Sequence, residues 1–326
     1  MRRWRPWLIS LLVTCVIFGY LLSQIELTQL IDAAVSMDPT YLWMFTILLL
    51  LGTVARAIRF WLLLGKSVSV SLLILITMSR NLFIDLLPAR LGELSYVYLL
   101  TKRGGKATED GLASVFLAIL FDLIALAPLL LLAILIVGSG NNTSRTLLAT
   151  SAIILGLAGF FAMRLVVPVG NWATKRIAMN ERSSWFEKSI KLVKRTVEAL
   201  REVQDRKIFV RVLLVSMVVR LCKFGSYYFL VLAIMIPLGY PPAALGFFRV
   251  FLGVVSAELA AALPISGLGG FGTFEAAWTL SFSQLGFSTE HAVMSGILAH
   301  AVSQIVEYVL GIVALAYLMR PGVKQS

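Results

Sequence analysis

Charged side chains are scarce in this sequence. Asp, Glu, Lys and Arg make up 14% of the 326 residues, whereas apolar residue types make up 59%. A typical soluble domain has about 25% charged and roughly 45–50% apolar residues. The apolar residues also stand in long runs, which excludes a soluble enzyme, a disordered tail and a secreted disulfide scaffold. The composition therefore predicts a polytopic, all-α integral membrane protein.

Histidine and cysteine are almost absent, with two residues of each. Cys15 and Cys222 lie in apolar runs without metal-ligand or redox spacing, so we expect them to serve packing. His291 and His300 form no metal-binding pattern with carboxylates. The sequence also lacks a phosphate loop, a dinucleotide fingerprint and a serine nucleophile elbow. We therefore expect no catalytic residues, no metal and no cofactor.

The net charge of +12 is explained by membrane topology, because cytoplasmic loops collect Lys and Arg. No basic stripe alternates with aromatic residues, so we expect no nucleic-acid partner. Residues 170–211 hold 11 Lys and Arg against 5 Asp and Glu, which predicts a cytoplasmic segment. Apolar residues at three- and four-residue steps predict an amphipathic helix over 185–207. This helix either lies on an anionic leaflet or covers the cytoplasmic end of the bundle.

The apolar runs predict about eight spanning helices in a single membrane domain, residues 1–326. The predicted spans are 7–25, 41–64, 68–100, 111–137, 145–169, 212–236, 243–263 with 271–285, and 291–319. Charged residues, Pro and Gly interrupt the third of these, and a Gly-rich break at 264–270 interrupts the seventh. Both are predicted to be broken or re-entrant hairpins. Basic residues place the N- and C-termini in the cytoplasm, in a cell inner (cytoplasmic) membrane.

Residues 68–137 and 243–319 share similar residues at matching positions. The matching pairs are Pro88 with Pro264, Glu93 with Glu275, Gly104 with Gly286, Thr108 with Thr289, and Ser114 with Ser295. In the predicted topology, the last spans of the two copies cross the membrane in opposite directions. This predicts inverted repeats. Inverted repeats with interrupted helices indicate the central substrate site of a transporter.

Charges inside the apolar runs require partners or a water-filled cavity. Asp122 lies in the middle of an apolar run and needs a partner such as Arg220 or Arg90. Arg249 and Glu258 are nine residues apart, so they lie on opposite faces of a helix and each needs another partner. Three basic residues are instead expected to extend to the membrane interface: Arg56, Arg59 and Lys223.

The two breaks carry most of the candidate chemistry. Arg90 can bind a phosphate bidentately, and the helix start beside Glu93 adds its dipole. Gly269 and Gly270 allow a ligand to approach the backbone. The candidate substrate-binding residues are Arg90, Glu93, Asp122, Arg220, Gly269, Gly270 and Glu275. We expect the arginines to bind an anionic phosphate, and the carboxylates to balance that charge, bind a head-group amine or carry a coupling proton.

At these breaks the sequence resembles the lysylphosphatidylglycerol-synthase transmembrane family, also called flippase-like-domain proteins. The resemblance is carried by Asn81, Leu87 to Glu93, Gly104-Gly105, Ser114 to Asp122, Leu263 to Gly272, and Glu275. It implies a helical bundle with re-entrant elements that moves a lipid head group between leaflets. The chain ends at Ser326 without the aminoacyl-transferase domain of the best-known relatives. We therefore expect it not to synthesise the lipid, which leaves lysyl-phosphatidylglycerol open as its substrate.

These observations lead to one principal hypothesis and two alternatives. The principal hypothesis is a flippase-like lipid translocase that moves a phospholipid or another anionic lipid head group between leaflets without ATP. Its partner would be an anionic or aminoacylated phospholipid, or a polyprenyl-phosphate lipid. The first alternative is a membrane enzyme or accessory subunit acting on polyprenyl-phosphate-linked sugars, with Asp122 or Glu93 as a base. The second is a scaffold that binds a partner through the 185–207 helix.

Overall fold

The fold is all-helical, as the composition predicts. The computed structural model describes residues 5–86, 92–137, 150, 153–154, 156–162, 164–165, 168–169, 171–172, 184–205, 208–261 and 271–320. No β-strand occurs among these residues. Because every backbone polar group in a bilayer needs a partner, helices satisfy them within each segment.

The helices follow the predicted apolar runs closely. They are α1 (Arg5–Leu22), α2 (Leu27–Val35), α3 (Pro39–Leu63), α4 (Val70–Leu86), α5 (Glu93–Gly104), α6 (Thr108–Val137), α7 (Ser184–Asp205), α8 (Phe209–Met235), α9 (Phe247–Ala261), α10 (Thr273–Gln284) and α11 (Thr289–Leu318). A short 3-10 helix, Pro242–Leu245, precedes α9. α4 ends at Leu86 and α5 begins at Glu93, while α9 ends at Ala261 and α10 begins at Thr273. Most of the two predicted breaks, residues 87–91 and 262–270, lies outside the described residues.

Four of the described helices are long and apolar enough to cross a membrane: α3, α6, α8 and α11. A fifth span results if Thr14–Leu22 and Leu27–Val35, which meet at 84°, form one broken span. The predicted number was about eight. The difference has two sources: much of the predicted 145–169 span lies outside the described residues, and helices beside the breaks are short. α9 and α10 contain 15 and 12 residues, whereas a span needs about 20.

The chain forms two compact units. The first unit comprises Met1–Leu51, Met78–Glu93 and Cys222–Ala314, and the second comprises Gly52–Thr77, Leu94–Leu221 and Leu315–Ser326. These ranges include residues that the structure does not describe.

In the second unit, α5 packs closely on α6. The Tyr96 ring stacks on Phe60 of α3 at 4.3 Å between centroids. Its hydroxyl lies 3.2 Å from Ser114 Oγ, and Ser114 donates to the Gly111 carbonyl at 2.8 Å. A Cβ at Gly111 would lie 3.1 Å from the Val97 side chain, so the two helices approach each other closely there.

The first unit contains a similar arrangement between α10 and α11. Trp278 Nε1 donates to Ser295 Oγ at 3.1 Å, and Ser295 donates to the Ala292 carbonyl at 3.1 Å. Trp278 also stacks on Phe282 at 4.5 Å. Both rings are fully buried, so they form the centre of this unit's core.

Four consecutive helices recur with similar lengths. α3 to α6 contain 25, 17, 12 and 30 residues, and α8 to α11 contain 27, 15, 12 and 30. Tyr96 and Trp278 each follow the paired glutamates, Glu93 and Glu275, by three residues. The aromatic–serine hydrogen bond thus occurs at corresponding places in the two series.

The amphipathic helix predicted over 185–207 is α7, which packs on α6. Val197 and Leu200 of α7 are buried. Lys191 and Arg195 pair with Glu109 and Asp110 of α6, at 3.2 and 3.7 Å. These contacts agree with a helix that covers one end of the bundle, whereas contact with a leaflet stays a prediction.

Candidate functional site

In the second unit, the buried Arg59 and the partly buried Arg220 meet Asp122, in the middle of α6. Arg59 of α3 donates from Nη1 to Asp122 Oδ1 at 2.6 Å, and Arg220 Nε of α8 lies 3.3 Å from the same oxygen. The Arg59 Nη1 also lies 3.5 Å from Ser216 Oγ. The prediction that Arg220 pairs with Asp122 is therefore confirmed.

Arg59 corrects one sequence-based expectation. We expected it to extend to the membrane interface, but its side chain is 3% exposed. The physical reason is the carboxylate of Asp122, which supplies the charge partner that the interface would otherwise provide. Nothing in the spacing of Arg59 and Asp122 indicates this pair, since the residues belong to separate helices.

The arginine cluster, defined as Arg56, Arg59 and Arg220 with Asp122, carries an excess of positive charge. Arg56 of α3 also interacts electrostatically with Asp122. The Arg59 and Arg220 guanidinium groups thus both lie against one carboxylate. A charge in an apolar interior is costly unless it is neutralised, so the cluster is suited to an additional anion.

Glu93, at the start of α5, is held by Arg80 of α4. Arg80 Nε donates to Glu93 Oε2 at 2.7 Å, and its Nη2 donates to Oε1, so the pair is bidentate. Arg80 also donates to Asn81 Oδ1 at 3.3 Å. Arg80 was not among the predicted site residues, although an arginine inside an apolar run is itself a signal.

Glu275, at the start of α10, belongs to a buried polar chain with His300 and Gln304 of α11. Glu275 Oε2 accepts from the Gly272 backbone N–H at 2.7 Å. Its Oε1 contacts His300 Nδ1, and His300 Nε2 lies 2.8 Å from Gln304 Nε2. His300 was not among the predicted site residues, because it is 25 positions from Glu275 on another helix. Its only sequence signal is the rarity of histidine within a span.

Lys223, Glu258 and Arg249 also have partners. Lys223, which we expected to extend to the interface, pairs with Glu258 at 2.7 Å. Arg249 donates to the backbone carbonyl of Ala244 at 3.2 Å and to that of Leu285. The prediction that Arg249 and Glu258 bind separate partners is therefore confirmed.

The predicted site residues fall into three groups. Asp122 and Arg220 meet in the second unit, and Glu93 and Glu275 pair with Arg80 and His300 in the first. Three further predicted residues lie outside the described residues: Arg90, Gly269 and Gly270.

A family model described as the lysylphosphatidylglycerol synthase TM region matches residues 7–311 of the chain. No curated protein is significantly similar to it.

Proposed function

The chain belongs to the lysylphosphatidylglycerol synthase transmembrane family, and from this premise we propose that it is an ATP-independent lipid translocase. Members of this family are membrane domains linked to lipid handling. The proposed activity is movement of an anionic lipid head group between the two leaflets, while the acyl chains stay in the bilayer.

The arginine cluster is the observation that carries this proposal. Arg59 and Arg220 converge on Asp122 inside an apolar bundle, with Arg56 adding further positive charge. Guanidinium groups bind phosphate oxygens through planar, bidentate hydrogen bonds. A phosphate would neutralise the excess charge, whereas a zwitterionic or neutral head group would do so less completely.

Asp122 has a distinct role in this proposal. It pairs with Arg59 and Arg220 at 2.6 and 3.3 Å. When a phosphate binds, the arginines exchange part of their interaction with Asp122 for the lipid. A carboxylate in this position therefore keeps the empty site stable and makes phosphate release possible. Arg90, which lies outside the described residues, is proposed as a further phosphate-binding residue.

The proposed architecture is a pair of inverted repeats, α3 to α6 and α8 to α11, in the cytoplasmic membrane with both termini inside. The matching helix lengths and the recurrent aromatic–serine bond support a repeat. The opposite direction of the copies follows from the distribution of Lys and Arg along the sequence. Glu93 and Glu275, which occupy corresponding helix starts, would lie at the two breaks beside the substrate path.

The proposal assigns transport and not catalysis to these residues. A membrane enzyme acting on polyprenyl-phosphate-linked sugars would convert its lipid donor into a new product. Thin-layer chromatography of a labelled lipid-linked sugar incubated with the purified protein distinguishes the two. We expect the lipid to be recovered unchanged.

The direct test is a lipid-flipping assay in proteoliposomes. The protein is reconstituted with fluorescent phosphatidylglycerol or phosphatidylcholine, and dithionite then bleaches the label in the outer leaflet. We expect rapid loss of the inner-leaflet signal with phosphatidylglycerol and slower loss with phosphatidylcholine, because only the first carries net negative charge. Flipping no faster than in protein-free vesicles, with either head group, would overturn the proposal.

A further inference from the structure

α2, the short helix that follows α1, leaves a row of large apolar side chains exposed. Leu27, Ile31 and Val35 stand at four-residue steps along it, and their exposed fractions are 65%, 53% and 82%. Residues four apart lie one above the other on a helix, so these three side chains form one continuous apolar strip. The proposed movement of a lipid head group makes no use of this strip.

The other two sides of α2 have different surroundings. Ala33 is 2% exposed, and Leu30 packs against buried residues of α1 and α11, so one side of the helix rests on the bundle. Thr28, Gln29 and Asp32 are exposed and form a polar side. With 3.6 residues per turn, the apolar strip lies between the protein-facing side and the polar side. A helix with these three sides suits a place where protein, an apolar medium and water meet.

α2 also runs nearly at a right angle to α1. Thr14–Leu22 and Leu27–Val35 meet at 84°. The nine residues of α2 are about 14 Å long, and at this angle only about a tenth of that length lies along the axis of α1. The Glu26 backbone N–H donates to Gln29 Oε1 at 3.2 Å, which starts α2 as a separate helix. α2 therefore adds almost nothing to the depth that α1 crosses.

The charges near α2 indicate its side of the membrane. No Lys or Arg occurs between Arg5 and Arg56, whereas Glu26, Asp32 and Asp38 lie in this stretch. Basic residues gather on the cytoplasmic side, so a connection without them is expected on the outer side.

Exposed apolar side chains continue along the chain from α1 into α2. Val16 and Tyr20 of α1 are 63% and 64% exposed, and the apolar strip of α2 follows them. A large exposed apolar surface with a polar side next to it is typical of membrane contact. The medium that surrounds α1 therefore also suits the apolar strip.

We propose that α2 lies in the plane of the outer leaflet and inserts its apolar strip among the lipid chains. Amphipathic helices of this kind bury their apolar side about 5–10 Å into the boundary between head groups and acyl chains. The polar side with Asp32 then faces water, while Leu30 and Ala33 stay on the bundle. The partner of this surface is the bilayer itself, so the inference is independent of lipid movement by the protein.

Fluorescence quenching in proteoliposomes tests the depth of α2. In a background lacking Cys15 and Cys222, Ile31→Cys is labelled with the environment-sensitive fluorophore NBD. The lipids carry a doxyl quencher either near the head group or near the end of the acyl chain. We expect severalfold stronger quenching by the shallow quencher than by the deep one. Thr28→Cys, on the polar side, is the matched control and should be quenched mainly by aqueous iodide.

The other outcomes for Ile31→Cys would overturn the proposal. Stronger quenching by the deep quencher would indicate that α1 and α2 form one broken span. Quenching by iodide alone would place the apolar strip in water, and no quenching by iodide or lipid would indicate that a protein surface, such as a second copy of the chain, covers it. Ile31 and Thr28 are exposed, so both substitutions leave the buried contacts of α2 in place.

Labelling from the two sides of the membrane tests the leaflet. Asp32→Cys, in the same background, should react with an impermeant maleimide added outside the cell. Reaction from the cytoplasmic side only would overturn the placement in the outer leaflet.

Discussion

At the scale of single residues, Asp122 determines how the second unit accommodates its buried arginines. It contacts Arg59 and Arg220, and Arg59 is 3% exposed. The sequence indicates that Asp122 needs a partner, because an isolated carboxylate in an apolar run is costly. It does not indicate Arg59, because pairing between α3 and α6 depends on tertiary packing. The same limit explains why His300 was missed as the partner of Glu275.

The first residue-scale prediction concerns Asp122→Asn. This variant removes the charge that balances two buried guanidinium groups, so we expect the free energy of unfolding to fall by about 3–5 kcal/mol. Thermal unfolding in detergent measures the change.

Asp110→Asn is the matched control for this substitution. Asp110 pairs with Arg195, whose side chain is 47% exposed, and exposed ion pairs contribute only about 0–1 kcal/mol. Equal stability losses in the two variants would contradict the assigned role of Asp122.

The second residue-scale prediction compares two serines. Ser114→Ala removes a partner of the Tyr96 hydroxyl, and Ser295→Ala removes a partner of the Trp278 N–H. Each removes a buried hydrogen bond, so we expect each variant to lose about 0.5–1.5 kcal/mol of stability. Chemical or thermal unfolding checks both.

Ser256→Ala provides the reference, because Ser256 is exposed and its hydroxyl donates to the Leu252 carbonyl four residues earlier. We expect a change of less than about 0.5 kcal/mol there. A large loss in one buried serine variant and none in the other would argue against corresponding roles in the two helix series.

At the scale of helices, the long spans and the two breaks are predictable from the sequence. α3, α6, α8 and α11 coincide with predicted spans to within a few residues, because apolar runs and flanking charges define them locally. The amphipathic α7 was also predicted from its periodicity. Its contact with α6 was left open, because Val197 and Leu200 would suit either a membrane surface or a protein surface.

The contact between α9 and α10 makes a prediction at the helix scale. A Cβ at Gly253 would lie 2.3 Å from the buried Phe282 ring. Gly253→Ala should therefore destabilise the protein: overpacking costs about 1–3 kcal/mol, which exceeds the gain of about 1 kcal/mol in helix propensity. A lower Tm in detergent is the expected result.

Gly246→Ala is the corresponding control, because nothing lies within 4 Å of a Cβ placed there. It should leave the Tm close to that of the wild-type protein. A Gly253→Ala variant at least as stable as this control would show that α9 and α10 do not pack as described.

At the scale of the whole molecule, the proposed inverted repeats make a topological prediction. Thr108 and Thr289 are exposed and begin the last helix of each series. In a background lacking Cys15 and Cys222, Thr108→Cys should react with an impermeant maleimide from the cytoplasmic side only. Thr289→Cys should react from the outer side only. Labelling of both positions from the same side would contradict inversion and leave a parallel repeat.

The central claim is that the positive charge buried around Asp122 binds an anionic head group during translocation. Arg220→Gln tests it most directly, because the Arg59–Asp122 ion pair remains and the fold should survive. The measurement is the flipping rate of phosphatidylglycerol in proteoliposomes, with the exposed-site variant Arg195→Gln as control. We predict a rate at least about tenfold below wild type for Arg220→Gln, because a charge-assisted phosphate contact of about 1.5–3 kcal/mol is lost. We predict an unchanged rate for Arg195→Gln. Wild-type flipping by a folded Arg220→Gln protein would contradict it.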